Sequence, residues 1–259
     1  MMSGALIDTH AHLDFQQFDE DRDAVIERAF SSGLAGILNV GTDGSSSRRS
    51  IALAERYEGI YATVGYHPHD AEMAEDGLDD LRDLARHPKV VAVGETGLDF
   101  YRDYAPREAQ VRVFRDHVRL AQQVELPLVV HIRDAYEEAM GILEEEGAAE
   151  VGGVLHCFSG DLETAKRGLR LGFYIAFGGA ITFRKSGAYD VARAIPSDRI
   201  VLETDCPYQT PAPCRKRSRR NEPAFVRYVA ERLASEETGA FEEVARRTSE
   251  NARRLFGFR

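Results

Sequence analysis

Eight short runs rich in Val, Ile, Leu and Gly recur along this chain: Ala5–Asp8, Gly36–Val40, Tyr61–Gly65, Val90–Gly94, Leu128–Val130, Gly153–Leu155, Phe173–Phe177 and Ile200–Glu203. Each has the length and composition of a buried β-strand, and charged segments of helical length lie between them. Pro106 to Glu125 shows the helical pattern best. Its apolar residues Val111, Phe114, Val118 and Ala121 recur at spacings of three and four, which marks one buried face. Pro106 suits a first helical turn, and Pro127 ends the segment before the next strand.

Strands alternating with helices build a parallel sheet, and a strand start about every 30 residues is the length of one barrel unit. Eight such units predict an α/β fold of the (β/α)8 TIM-barrel type, as one domain over residues 1–259. No internal sequence repeat accompanies the period, which excludes a solenoid. The structural rival is an open doubly wound sheet, which places its ligand site at one topological switch point. Here residues able to bind metal end five different runs, and only a barrel gathers all strand ends around one mouth. After the last run, Pro207–Glu222 reads as a Pro- and Arg-rich loop. Pro223–Ala234 and Phe241–Leu255 read as outer helices that complete the barrel.

The first run leads into Asp8-Thr9-His10-Ala11-His12. On a strand, residues i and i+2 share a face, so His10 and His12 aim at one point. Asp8 shares their parity, as do Val129, His131 and Arg133 in the fifth run and Val201, Glu203 and Asp205 in the eighth. Glu95, His131, His156 and Asp205 each end a separate run. A glutamate at the end of so apolar a strand as Val90–Gly94 needs a cation, either a metal or an arginine. His131 and His156 taken singly also fit satisfied core histidines. Taken together, four histidines and two carboxylates exceed the needs of one zinc ion. They suit two divalent ions about 4 Å apart bridged by Glu95. Histidine-rich ligation favours zinc or manganese.

The formal net charge of −10 argues against a surface that coats nucleic acid by phosphate neutralisation alone. It leaves open a nucleic acid end entering a pocket whose metals and local arginines supply positive charge. Cys157, Cys206 and Cys214 are odd in number and lack Cys-x-x-Cys spacing, so neither a disulfide framework nor a thiolate zinc site is indicated. No apolar run approaches the roughly 18 residues of a membrane span. The N-terminal residues lack a basic segment followed by an apolar core, so no secretory signal is expected. A cytoplasmic location is expected, with no membrane and no protein partner in evidence.

The ordered motifs carry a resemblance. Asp8-Thr9-His10-Ala11-His12, Gly65-Tyr66-His67-Pro68-His69, Gly94-Glu95-Thr96-Gly97-Leu98-Asp99-Phe100, His131-Ile132-Arg133-Asp134, His156-Cys157-Phe158-Ser159-Gly160 and Glu203-Thr204-Asp205-Cys206-Pro207-Tyr208 appear in that order. Together with Asn221-Glu222-Pro223 and the closing Asn251-Ala252-Arg253-Arg254-Leu255-Phe256, the chain resembles the TatD family of metal-dependent deoxyribonucleases, nearly end to end. The resemblance implies a barrel that hydrolyses phosphodiesters from DNA ends, 3′ to 5′, with magnesium or manganese. It implies His10, His12, Glu95 and Asp205 around a first metal, and Glu95, His131 and His156 around a second. Asp205 would also orient or deprotonate the attacking water. One departure stands in the loop after Asp205. Where family members show a His-Arg-Gly-Lys-like segment, this chain has Cys214-Arg215-Lys216-Arg217 in a longer, more basic loop.

For substrate, DNA ends or RNA, His67 and Arg133 are candidates to grip the phosphate, arginine through its planar fork of donors. Their structural alternatives are an interior hydrogen bond for His67 and an ion pair with Glu203 for Arg133. Tyr101, with Phe100 and Tyr208, is a candidate to stack a terminal base. Arg215, with the basic run to Arg220, is either an electrostatic guide for the strand or a solvated charge run. Cys206 is expected small, buried and turned away from the metals. His69 suits a loop cap, and His87 and His117 read as structural or solvent-facing. Two other classes compete. One is an amidohydrolase-type enzyme acting on a small amide, lactone or phosphoester; the other is a metal-stabilised scaffold without catalysis. Barrels of the first kind often bridge their metals with a modified lysine after the fourth strand. Here Glu95 holds that place and Lys89 precedes the strand.

Overall fold

The computed structural model of the chain describes residues 5–74, 78–102, 104–234 and 240–258. Eight strands lie side by side in sequence order, every hydrogen-bonded neighbour parallel: β1 (Leu6–Ala11), β2 (Leu34–Asn39), β3 (Ile60–Val64), β4 (Val90–Asp99), β5 (Leu128–Arg133), β6 (Gly153–Leu155), β7 (Phe173–Phe177) and β8 (Ile200–Leu202). The ring is completed where β8 runs past β1. There the Asp205 N–H donates to the His10 carbonyl and the His12 N–H to the Cys206 carbonyl, both at 2.9 Å. Asp8 ties the same seam from its side chain, accepting from the Thr204 N–H (2.9 Å) and the Thr204 hydroxyl (2.6 Å). The chain is therefore the (β/α)8 TIM-type barrel that its alternating pattern predicts.

Nine helices are described: α1 (Arg22–Ser31), α2 (Gly44–Arg56), α3 (Leu78–Leu84), α4 (Arg107–Val124), α5 (Tyr136–Glu145), α6 (Leu162–Arg170), α7 (Ala188–Ala194), α8 (Val226–Leu233) and α9 (Phe241–Phe256). Asp43 and Asp161 cap α2 and α6 by accepting backbone N–H groups from the first turn, which satisfies donors that helix geometry leaves free. The stretch Pro223–Ala234 divides into a 3-10 turn, Pro223–Phe225, and α8. In α4 the buried face is centred on Gln110, Phe114, His117, Val118 and Ala121, and Val111 lies half-buried beside it. The polar members of that face are why hydrophobicity alone misjudges its centre. No helix among the described residues is long and apolar enough to cross a membrane.

Two apolar layers hold the barrel. Ile7, Leu38, Ala92, Val129, Val154 and Val201 join in one cluster closed by Phe256 and Phe258 at the end of the chain. A larger cluster fills the space between strands and helices, with Phe18, Phe114, Phe173 and Phe177 fully buried. The strand ends differ from the sequence expectation where they carry chemistry. β1 extends past Asp8 to Ala11, and β4 extends past Gly94 to Asp99. The register between β1 and β2 shifts between Asp8 and Ala11. Regular alternation fails there, so Asp8 faces the β8 seam instead of joining His10 and His12.

Candidate active site

Glu95 occupies the centre of the strand ends. Gly94 and Gly97, at φ 140° and 138°, let β4 lie so close to β5 that a Cβ at either would meet the backbone carbonyls of Val129 and His131. This approach carries Glu95 between the β1 and β5 side chains. Its Oε2 lies 3.3 Å from His10 Nε2 and 3.6 Å from His12 Nε2. Its Oε1 lies 3.1 Å from His131 Nδ1, 3.6 Å from His156 Nε2 and 3.7 Å from His67 Nε2. One carboxylate thus faces two separate sets of imidazoles. Asp205 approaches from the β8 side, with Oδ1 3.6 Å from His12 Nε2 and Oδ2 accepting from the Gln209 amide at 2.9 Å.

The outward ring nitrogens define what the inward ones present. His12 Nδ1 donates to the Val40 carbonyl at 3.0 Å, which leaves the neutral ring's lone pair on Nε2. His156 Nδ1 faces Glu203 Oε2 at 3.0 Å, and Glu203 Oε1 also accepts the Cys157 N–H at 2.6 Å. His10 Nε2 stands 3.2 Å from His12 Nε2, while His10 Nδ1 is buried without a hydrogen-bond partner among the described residues. If His10 donates from Nε2, a lone pair is stranded on Nδ1. If the proton sits on Nδ1, two lone pairs confront each other. The second arrangement becomes favourable with a cation between the rings.

Burial works against charging His156, but the charge and hydrogen bond of Glu203, with the charges of Glu95 and Asp205, outweigh it and push its pKa up to about 10. The carboxylates behave in the complementary way. Burial by itself would raise Glu95, yet His10 and His67 outweigh it and hold its carboxyl well below the usual range. Carboxylates kept ionised among buried imidazoles are groups that a cation can bind in place of protons. His10, His12 and Asp205 present ligand atoms within 4.8 Å of one another, and so do His67, Glu95 and His131. The donor set therefore fits divalent metal ions.

A cavity of about 760 Å³ opens over this floor. His67 and His69 enter it from the segment after β3. The His69 N–H donates to His67 Nδ1 at 3.1 Å, so the neutral His67 ring carries its proton on Nε2. Burial holds His67 well below its ordinary pKa. His69 Nε2 meets Asp99 Oδ2 at 2.8 Å, and His131 Nε2 meets the same oxygen at 3.3 Å. The sequence singles out Glu203 only as a partner for Arg133 and gives Asp99, Arg102, Tyr104 and Gln209 no role. Asp99 is within reach of a parity argument, since it has the parity of Glu95 on β4, whereas Glu203 and Asp205 lie past the end of β8. Burial would raise Asp99, but His131, the Arg102 N–H and His69 hold its carboxyl strongly ionised.

The substrate-contact expectations divide. His67 and Arg133 line the cavity, with Phe15, Arg102, Tyr104, Tyr208 and Gln209 among its other walls. Arg133 does not pair with Glu203. Its guanidinium lies 4.0 Å over the Tyr101 ring, because Glu203 is already engaged by His156 and Cys157. Tyr101 is exposed but lies outside the cavity lining, and its ring is occupied by that guanidinium. Arg215 also lies outside the lining, over Phe183 at 4.9 Å. Arg220 is held by Asp21 at 2.6 Å and so is not a free cation for a strand. Cys206 is buried away from the cavity, as expected, whereas Cys157 lines it beside Gln209. His117 is fully buried, so the solvent-facing alternative fails: its Nε2 accepts from the Tyr66 N–H (3.0 Å) and its Nδ1 donates to the Val113 carbonyl (2.7 Å).

A (β/α)8 barrel whose strand ends present such a donor set is the architecture of a metal-dependent hydrolase. The comparisons narrow this: the family model for TatD related DNase matches residues 7–257, and the chain belongs to that family. It is 46% identical over 253 residues to the uncharacterized metal-dependent hydrolase YabD of Bacillus subtilis, covering 97% of this chain and 98% of the relative. It is 37% identical over 257 residues to the 3'-5' ssDNA/RNA exonuclease TatD of Enterobacter lignolyticus, covering 97% and 99%. The crystal structure of YjjV, a TatD homolog from Escherichia coli K12, superposes with a TM-score of 0.91 at 34% identity, covering 99% of both chains.

Proposed function

We propose that this metal-dependent hydrolase is a nuclease that removes nucleotides from the 3′ ends of single-stranded DNA or RNA, with two divalent ions held by His10, His12, Glu95 and Asp205 and by Glu95, His131 and His156. The observation that carries the reading is Glu95, whose two oxygens face two different imidazole sets at the floor of an open cavity. Relatives named as 3'-5' ssDNA/RNA exonucleases, similar over nearly their full length, support the choice of substrate.

Magnesium, manganese or zinc bound there supplies Lewis acidity, which lowers the pKa of water from about 16 toward 7 and offsets charge on the phosphoryl oxygens. The chain's own residues do the rest. Asp205, with one oxygen fixed by Gln209, turns the other toward His12 and accepts the proton of the attacking water. The water oxygen bonds to phosphorus, the phosphorus–oxygen bond to the neighbouring sugar breaks, that sugar oxygen takes up a proton from solvent water, and Asp205 returns its proton to solvent. His67, neutral with its proton on Nε2, donates to a non-bridging phosphate oxygen. Glu203 and Asp99 hold His156 and His131 in place through hydrogen bonds to the second ring nitrogens.

The test is a metal-by-substrate assay. Chelator-stripped protein is incubated with Mg, Mn or Zn and with end-labelled single-stranded DNA, duplex DNA, RNA or a small ester. The expected result is metal-dependent shortening of single strands, one nucleotide at a time from the 3′ end. Turnover of the small ester with no cleavage of any nucleic acid under any metal refutes the reading.

A further inference from the structure

The two walls of the cavity differ in charge. On the β4–β5 side, Arg102 and Arg133 both approach the ring of Tyr101, at 5.6 Å and 4.0 Å. Both arginines are exposed, both line the cavity, and neither has a carboxylate partner among the described residues. Two exposed guanidiniums at one phenol ring, without a carboxylate partner among the described residues, give this wall its positive charge. Tyr104 lines the same cavity, 63% exposed, with its ring edge-on to His69 at a centroid distance of 4.7 Å. On the opposite side, the wall is aromatic and has no lysine or arginine among the described lining residues: Phe15 stacks on His12 at 4.6 Å, and Tyr208, half-exposed, packs edge-on to Phe15 at 6.3 Å.

A strand cut near its end places unlike groups on the two sides of the scissile phosphate. The body of the strand brings a phosphate with every further nucleotide, while the terminal nucleoside brings none. Resting on the nuclease reading above, we propose that Arg102 and Arg133 bind the phosphates of the strand body, with Tyr104 as the stacking surface for its last base, and that the Tyr208 wall takes the terminal nucleoside. The polarity of the strand across the cleft follows from this charge difference. The assignment also moves Arg133 from the scissile phosphate to the phosphates behind it, and base stacking from Tyr101 to Tyr104.

Chain length separates the two walls. Oligothymidylates of two, four and eight nucleotides are digested at several salt concentrations by the wild type, Arg102→Ala/Arg133→Ala, Arg102→Lys/Arg133→Lys and Tyr208→Ala. For the double alanine variant, KM for the octamer rises roughly 10- to 100-fold at low salt, while kcat moves far less and KM for the dimer rises much less. Its salt dependence flattens by about 1.4 in log–log slope, two contacts at roughly 0.7 each. The double lysine variant recovers most of that slope. Tyr208→Ala raises KM roughly tenfold at every length, because each substrate has one terminal base. A KM effect of the arginine pair that is the same at all lengths, or an unchanged salt slope, overturns the polarity while leaving the nuclease reading intact. A wild-type enzyme that cleaves only the small ester overturns both.

Discussion

His117 offers a prediction whose sign and size both follow from the structure. The ring lies in α4, fully buried, with both nitrogens committed: one accepts from the Tyr66 N–H and the other donates to the Val113 carbonyl. Burial pushes its pKa down to about 4, opposed only in part by the hydrogen bond to Val113. In the unfolded chain an ordinary histidine titrates near 6.5. The folded protein therefore keeps this ring neutral over a range where the unfolded chain takes up a proton. Its contribution to stability is complete above about pH 6.5, falls as pH drops, and levels off below about pH 4. The whole loss is about 3 kcal/mol, and roughly 2 kcal/mol of it is reached by pH 5.

Replacing His117 with Gln keeps one donor and one acceptor but removes the titration. At pH 7 the variant should be less stable by about 1 kcal/mol, the cost of imperfect replacement hydrogen bonds. As pH falls the wild type loses stability that the variant does not, so the two curves should cross between pH 5 and 6. Below the crossing, His117→Gln should be the more stable protein. Urea unfolding at half-unit steps from pH 4.5 to 7 measures the difference, and the remaining histidines cancel because both proteins contain them. A difference that stays constant across that range refutes the argument, since it would mean the folded ring titrates like the unfolded one.

The other predictions concern the floor of the cavity. Glu95→Gln should abolish hydrolysis with little change in circular dichroism; wild-type turnover in this variant would remove the carboxylate from the mechanism. Asp205→Asn should lower kcat by roughly 10²- to 10⁴-fold with a much smaller change in KM, and a pure KM defect would end its role as proton acceptor. Glu203→Gln, which weakens the hold on His156, should reduce metal affinity by about 10- to 100-fold in a calorimetric titration with Mn or Zn. Removing metal with a chelator should also weaken oligonucleotide binding, measured by fluorescence anisotropy, because Glu95 and Asp205 then face the phosphate uncompensated. Equal binding with and without metal would show that the strand docks elsewhere.

Periodicity made the barrel legible. Eight β/α units with ligand-type residues at the strand ends leave few topologies, and the observed strand order is the simplest of them. The ends of β1 and β4 were less legible because the strands continue through polar residues. Thr9-His10 and Glu95-Thr96 look like loop in a hydrophobicity reading, yet they sit in strands because hydrogen bonds to their neighbours persist. Asp8 shows the limit of parity arguments: one register shift sent it to the β8 seam, where Thr204 satisfies it. His117 shows another limit, since nothing in a helical pattern distinguishes a histidine that bonds Tyr66 from one that faces water.

At the site, residue type located the ligands, but the supporting carboxylates and the cationic wall depend on contacts that sequence does not state. Asp99 shares the parity of Glu95 along β4, so its position could be read, whereas Glu203 lies past the end of β8; the hydrogen bonds of the two to His131 and His156 could not be read at all. The basic run after Asp205 drew attention by composition, yet its Arg220 is neutralised by Asp21 and its Arg215 lies outside the cavity. Arg102 and Arg133 are isolated in the sequence, and the fold brings both to one tyrosine at the cleft. Of that basic run only Arg220 meets a carboxylate among the described residues, and Arg215 rests over Phe183 just as Arg133 rests over Tyr101. What sets Arg102 and Arg133 apart is their place on the cavity wall, which strand and loop positions decide and only the folded chain shows.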